Sequence, residues 1–222
     1  MLLRVGLTGG ITTGKSTVLS ILKELGCQGY DADHVVHELL GPETAVSEAI
    51  GNLFGPEVQL PGGGIDRQIL ANVVFNNARL LGELEAILHP EVIRILSERT
   101  RDLELRLEGN NEDSILVLDV ALLFEKRPEL YLHRVVVTSC SEQEQIRRLA
   151  FRDRFDREEA VKRIRNQMPS SEKERLADYV IDTSGSLDDT KEQTQRVHAE
   201  LRDDLKSLKR GVQVRPKAYT AG

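Results

Sequence analysis

The segment Gly9-Gly10-Ile11-Thr12-Thr13-Gly14-Lys15-Ser16 restricts this chain more than any other feature. It fits G-x-x-x-x-G-K-[ST] and has the flanks that pattern needs to act as a loop between a strand and a helix. Leu2 to Leu7 is a short apolar run of strand length, and Ser16 to Leu25 carries Val18, Leu19, Ile21, Leu22 and Leu25 at helical spacing. Glycines let such a loop turn its backbone N–H groups inward, and the following helix adds the positive end of its dipole. Nucleotide phosphates fit there, against Gly10, Thr12, Thr13 and Gly14. Lys15 reaches the β- and γ-phosphates, the Ser16 hydroxyl serves Mg2+, and Thr17 is available to the α-phosphate. A tight turn without a ligand is the plainer alternative, and the agreement of both flanks weighs against it.

Downstream, strand and helix patterns alternate. Gly26 closes the first helix, a short segment leads to Tyr30-Asp31-Ala32-Asp33, and His34 to Leu40 is helical until Gly41-Pro42. Glycine and proline are dense from Gly51 to Gly64. Asp66 to Glu108 then repeats apolar residues every three or four positions, with an expected break at His89-Pro90. Ile115-Leu116-Val117-Leu118 and Val135-Val136-Val137 are continuous apolar runs, as in strands buried on both faces, and Tyr179-Val180-Ile181 is a further short strand. Ser141 with Glu144 and Asp156 with Glu159 have capping-box spacing and mark two helices, and Leu187 to Leu208 is a closing helix. This alternation predicts an α/β chain with a parallel sheet flanked by helices. The expected organisation is one P-loop unit over about 1–208, with its core at about 1–40, 113–140 and 176–208. A helical lobe is inserted at about 41–112 and a small helical lid at about 141–175, and a basic tail at 209–222, poor in apolar residues, is expected to be flexible.

Bulk properties narrow the function classes. A chain of 222 residues, 40% apolar and 30% charged, buries one sizeable core with room for a subsidiary lobe. Its net charge of -6 argues against bulk nucleic-acid binding, so any phosphate site is local. Neither a spanning run nor a leader pattern is evident, which argues against membrane insertion and secretion. Cys27 and Cys140 have no CxxC spacing and suit free thiols in a reducing cytoplasm.

Several polar residues fit phosphoryl chemistry, each with a structural alternative. Asp33, with Asp31 nearby, lies where the second strand ends and can take the proton of an acceptor hydroxyl, or it can cap the helix from His34. Asp119 follows the Ile115–Leu118 run, as a Mg2+-holding carboxylate would, or else it is a turn aspartate. Arg148 and Arg152 lie four apart on one helical face and can clamp a phosphate chain, although Asp153, Asp156, Glu158 and Glu159 allow a salt-bridged surface instead. His34 and His37 lack a third ligand nearby and read as helix surface.

These segments together resemble the dephospho-coenzyme A kinase family over roughly Leu3 to Leu201. Gly6-Leu7-Thr8-Gly9-Gly10-Ile11 with Gly14-Lys15-Ser16-Thr17 is similar to the family's P-loop, and Asp31-Ala32-Asp33 to its acidic motif. Ile65-Asp66-Arg67, Leu88-His89-Pro90 and Leu122-Leu123-Phe124-Glu125 resemble its acceptor-side segments. Arg148-Leu149, Arg152-Asp153, Arg163-Ile164, Gln167 and Glu172-Lys173 resemble its lid. The resemblance implies a P-loop kinase fold and transfer of the γ-phosphate of ATP to the ribose 3′-hydroxyl of dephospho-coenzyme A. It implies Asp33 as base, Lys15 and Arg148 on the transferring group, and Arg67, His89 and Glu125 near the acceptor. His89 before Pro90 also reads as a helix-break residue.

Thr12-Thr13 replaces a small glycine-serine pair of the family and predicts a stiffer loop, Ala121 stands where proline is usual, and Thr183 where asparagine is usual near the adenine. The expected partners are ATP with Mg2+ and the acceptor, in a monomer or small homo-oligomer. Another P-loop kinase, acting on a nucleoside or nucleoside monophosphate, and a non-catalytic nucleotide-binding regulator are the competing functions. No NKxD segment supports a GTPase.

Overall fold

In the computed structural model, which describes residues 1–75 and 77–219, β1 (Leu2–Gly9) is the middle strand of a five-stranded, mostly parallel sheet. β3 (Ser114–Asp119) and β4 (Arg134–Ser139) flank it in parallel, and β5 (Tyr179–Asp182) adds in parallel to β4. β2 (Gln28–Asp31) borders β3 and completes the order β2-β3-β1-β4-β5. Leu3, Val5 and Leu7 of β1 are fully buried and share a core with Val117, Val136 and Ile181. α1 (Lys15–Glu24) and α10 (Leu187–Lys209) cover this core with Val18, Leu19 and Leu22 and with Val197 and Leu201. Burying each such side chain contributes about 1.5–3 kcal/mol, which is why the continuous apolar runs become the inner strands.

The chain divides into two compact units, Met1–Tyr30 with Thr100–Gly222, and Asp31–Arg99. The second unit holds α2 (Ala32–Leu39), α3 (Ala45–Phe54), α4 (Arg67–Phe75) and most of α5 (Ala78–Asn110). It therefore takes in α2, which the sequence pattern leaves with the core. The first unit adds α6 (Leu123–Lys126), α7 (Glu142–Asp153), α8 (Arg157–Arg165) and α9 (Ser170–Leu176). Gly6 opens the way for α6, because a Cβ there would lie 2.8 Å from Leu123 Cδ2.

Two expectations need correction. The break at His89-Pro90 is absent, since α5 runs straight through Pro90. The ring removes one intrahelical bond, but Leu84, Leu88, Val92 and Leu96 form a buried row at four-residue spacing on both sides of it. The tail is held as far as it is described: Val214 lies in the main core, Arg134 Nη1 donates to Arg215 O at 2.8 Å, and Lys217 N donates to Asp178 Oδ1 at 2.9 Å. Residues 220–222 of that tail lie outside the described residues. Ser141 and Asp156 do cap α7 and α8, accepting from Glu144 N and Glu159 N. The reciprocal capping box, however, forms at Ser186 with Asp189 on α10, because the Glu144 carboxylate turns to Arg147 and Arg148.

Candidate active site

The loop leaves β1 at its carboxyl end through a glycine that admits no side chain. A Cβ on Gly9 would lie 2.3 Å from Thr138 Oγ1 and 2.5 Å from Thr138 O, so only glycine lets the chain pass β4. Thr12 and Gly14 have left-handed φ of 58° and 83°, easy for glycine and uncommon for threonine. Thr13 anchors the loop through its side chain. Its buried hydroxyl donates to Gly10 O at 2.7 Å and lies 2.8 Å from Thr138 Oγ1, tying the loop to β4.

Two glutamines hold the Ile11 peptide from either side. Gln145 Nε2 donates to Ile11 O at 2.7 Å, and Ile11 N donates to Gln167 Oε1 at 2.7 Å. The Ile11 side chain also packs on the small apolar cluster of α7 and α8 made by Ile146, Leu149 and Ala160. α7, α8 and the segment after α8 thus hold a loop that lies more than a hundred residues upstream. Gln145 was not legible as a loop partner, because nothing in a linear pattern links an amide to a peptide so far upstream.

α1 begins without a side-chain cap and with no acidic residue in its first turn. Its leading N–H groups and positive dipole end remain for an anion, unlike those of α7, α8 and α10, which serines or an aspartate cap. Lys15, Ser16 and Thr17 form this turn, with Ser16 exposed and Lys15 and Thr17 partly so. Asp119 ends β3 in register with Leu7 and is 7% exposed. Ser16 and Asp119 offer a hydroxyl and a carboxylate, the hard oxygen donors that Mg2+ takes alongside water and phosphate.

Arg148 is more deeply engaged than a free clamp. Its Nε donates to Glu144 Oε1 at 2.7 Å, and its Nη1 to Thr12 O at 3.0 Å and Thr183 Oγ1 at 3.1 Å. Arg152 shares its helix but turns to Asp153 at 2.9 Å and stays well exposed, so the two guanidinium groups do not act as a pair in this arrangement. Thr183 is buried and donates to Thr13 O at 2.9 Å, so the position where asparagine is usual joins β5 to the loop.

Glu125 on α6 meets Lys173 of α9, the helix that the sequence pattern missed. The Lys173 ammonium is fully buried, 2.8 Å from Glu125 Oε1, and burial pushes its pKa down while Glu125 pulls it up and the nearby Lys15 charge lowers it again. Met168 N also donates to Glu125 Oε1, at 3.0 Å. The only cue in the sequence was Pro169 before Ser170, a chain stop followed by helix-compatible residues.

The second unit carries the remaining candidates. Asp31, not Asp33, caps α2, accepting from Asp33 N at 2.8 Å and His34 N at 3.4 Å. That leaves the Asp33 carboxylate exposed in the first turn, with no hydrogen bond to it among the described residues. Arg67 Nη1 lies 3.1 Å from His37 Nδ1, and His34 pairs with Glu38 at 3.3 Å. His89 is half-buried in mid-helix, so it is not a helix-break residue.

A mostly parallel sheet whose central strand feeds a phosphate loop and an uncapped helix defines a P-loop nucleotide-binding protein. Comparison with known proteins narrows the class. The family model described as dephospho-CoA kinase matches residues 3–189. A dephospho-CoA kinase from Carboxydothermus hydrogenoformans is 42% identical over 189 residues, covering 85% of this chain and 89% of that one. The crystal structure of TT1252 from Thermus thermophilus superposes with a TM-score of 0.73 at 36% identity, over 90% of this chain and 97% of that one. A dephospho-CoA kinase from Campylobacter jejuni gives 0.61 at 25% identity, over 90% and 97%. The chain belongs to the dephospho-CoA kinase family, phosphotransferases that act on an alcohol group. No helix among the described residues is long and apolar enough to cross a membrane.

Proposed function

We propose that this chain transfers the γ-phosphoryl group of ATP to the ribose 3′-hydroxyl of dephospho-CoA, giving CoA and ADP, the last step of CoA biosynthesis. The observation that carries this proposal is the uncapped first turn of α1 behind a phosphate loop tied down by Thr13, in a chain matched to the dephospho-CoA kinase family over residues 3–189. Phosphoryl transfer asks little covalent chemistry of a protein; positioning and charge stabilisation supply most of the rate.

Each residue then has a task. The loop at Gly10, Thr12, Thr13 and Gly14 and the start of α1 cradle the phosphates, while the Ile11 N–H stays with Gln167, and Lys15 places its charge on the β- and γ-phosphates. Ser16 and Asp119 would hold Mg2+, which neutralises charge on the phosphate oxygens when bound. Thr17 serves the α-phosphate. Arg148 contributes positive charge beside the loop while bracing it at Thr12, and Arg152 is freed for the nucleotide when it leaves Asp153. Asp33 accepts the proton of the attacking hydroxyl, a role supported by its exposed carboxylate, which has no hydrogen-bond partner among the described residues. Arg67, His89 and Glu125 bind the acceptor. The protein works in the cytoplasm as a monomer or small homo-oligomer.

The deciding experiment measures ADP release from ATP and Mg2+ with dephospho-CoA, adenosine, cytidine monophosphate or shikimate, with mass analysis of the product. Turnover confined to dephospho-CoA, with a product heavier by one phosphoryl group, is expected. Turnover with a different acceptor would remove the substrate assignment, and none with any acceptor would remove catalysis.

A further inference from the structure

Lys173 is the largest fully buried side chain among the described residues. A lysine in that position is rare, because its charge gives up water and must be compensated by a partner. Among the described residues its ammonium meets Glu125 Oε1 at 2.8 Å and Ala121 O at 3.4 Å. Ala121 O also accepts from Thr8 Oγ1 of β1 at 3.0 Å. The ion pair therefore sits at the carboxyl end of β1 and β3, the end from which the phosphate loop departs.

The two oxygens of Glu125 are treated unequally. Oε1 carries Lys173 and Met168 N, at 2.8 and 3.0 Å. Oε2 is withdrawn from water and has no hydrogen-bond partner among the described residues. A buried carboxylate oxygen left without a donor is unfavourable, and folded proteins seldom keep one without a use. An ion pair kept only for stability is also replaceable by apolar residues of similar volume, often without loss.

We infer that Lys173 is a positioning residue: its buried ammonium, with Met168 N, fixes Glu125 through Oε1 so that Oε2 is presented to a hydroxyl or amide N–H of the acceptor substrate. This rests on the proposed kinase function, since the acceptor supplies the donor. Lys173 itself touches no substrate and acts through Glu125. No proton or phosphoryl group moves through the pair; its effect is on acceptor binding and alignment.

The test uses Lys173→Met, Glu125→Gln and the double variant in the full chain. Acceptor binding is measured by titration calorimetry without ATP, together with KM for each substrate, kcat and thermal melting. In Lys173→Met, KM for the acceptor should rise about tenfold or more while KM for ATP stays within about twofold. The double variant, which removes both charges and so keeps the fold, should be no worse for the acceptor than Glu125→Gln alone, because the lysine acts only through the glutamate. Acceptor binding unchanged in Lys173→Met overturns the inference. So does an equal loss for ATP and acceptor that tracks the fall in melting temperature, which is the signature of a structural pair. Wild-type protein that neither binds nor turns over dephospho-CoA overturns the kinase assignment as well, and the two failures are told apart by that first measurement.

Discussion

Arg148 holds Thr183 at two points, with Nη1 3.1 Å from the Thr183 hydroxyl and Nη2 2.5 Å from its carbonyl oxygen. Since Thr183 donates in turn to Thr13 O, and Arg148 to Thr12 O, one guanidinium joins α7, the exit of β5 and the phosphate loop. Arg148→Ala strips these charge-assisted bonds from buried acceptors, at about 1–3 kcal/mol for such a site. A fall in melting temperature of about 3–10 °C and a rise of about tenfold or more in KM for ATP are expected. Arg148→Lys should recover only part, because an ammonium cannot span Glu144, Thr12 and Thr183 together. Calorimetry and ATP titration check this, and an unchanged melting temperature would show that the network carries no load.

Asp33 differs from Arg148 in having nothing to lose structurally. Its carboxylate is exposed, and Asp31 already caps the helix. Asp33→Ala should therefore leave melting within about 0.5 kcal/mol of wild type. Turnover should drop by about two to four orders of magnitude, with ATP affinity within about threefold. Activity close to wild type would remove Asp33 as the base.

Glu144 links the site to pH. The Arg147 hydrogen bond, with a further contribution from Arg148 and against the opposing effect of burial, holds its carboxyl down to about 2. The native state thus binds fewer protons at Glu144 than the unfolded chain. Its contribution is complete above the ordinary value of 4.5 and is lost as pH falls toward about 2. Melting temperature against pH should show a shallower acid limb in Glu144→Gln than in wild type. Parallel curves through that window would contradict the assignment.

The tail offers a paired comparison within three residues. Val214 is 4% exposed and joins the main core, whereas Val212 is 55% exposed. Val214→Ala should cost about 1–3 kcal/mol, or about 3–8 °C, through lost burial and the cavity left behind. Val212→Ala should cost under about 0.5 kcal/mol. Thermal melts of the two variants side by side decide whether the tail is part of the fold.

Local chemistry determined a good deal on its own. Glycine at positions 9 and 14 beside Lys15 and Ser16 carried the phosphate loop, since that arrangement depends on dihedrals and spacing within eight residues. Continuous apolar runs carried β3 and β4, because a strand buried on both faces has no polar side to show. The caps at Ser141 and Asp156 were likewise legible, as a side chain and an amide three residues apart meet wherever a helix starts there.

Tertiary structure decided what depends on partners distant in sequence. Pro90 reads locally as a stop, yet the buried leucine and valine row around it outweighs one missing bond. Val214 reads no differently from Val212 in a polar tail until the main core receives it. Gln145 and Gln167 on the Ile11 peptide, Arg148 on Thr183, and Lys173 on Glu125 join positions that no period or motif connects. Sequence alone specifies the dihedrals, periods and charges from which a phosphate loop and a sheet follow. Which polar groups meet inside the fold depends on where long-range packing brings them, and that packing also removes the water that would otherwise satisfy them.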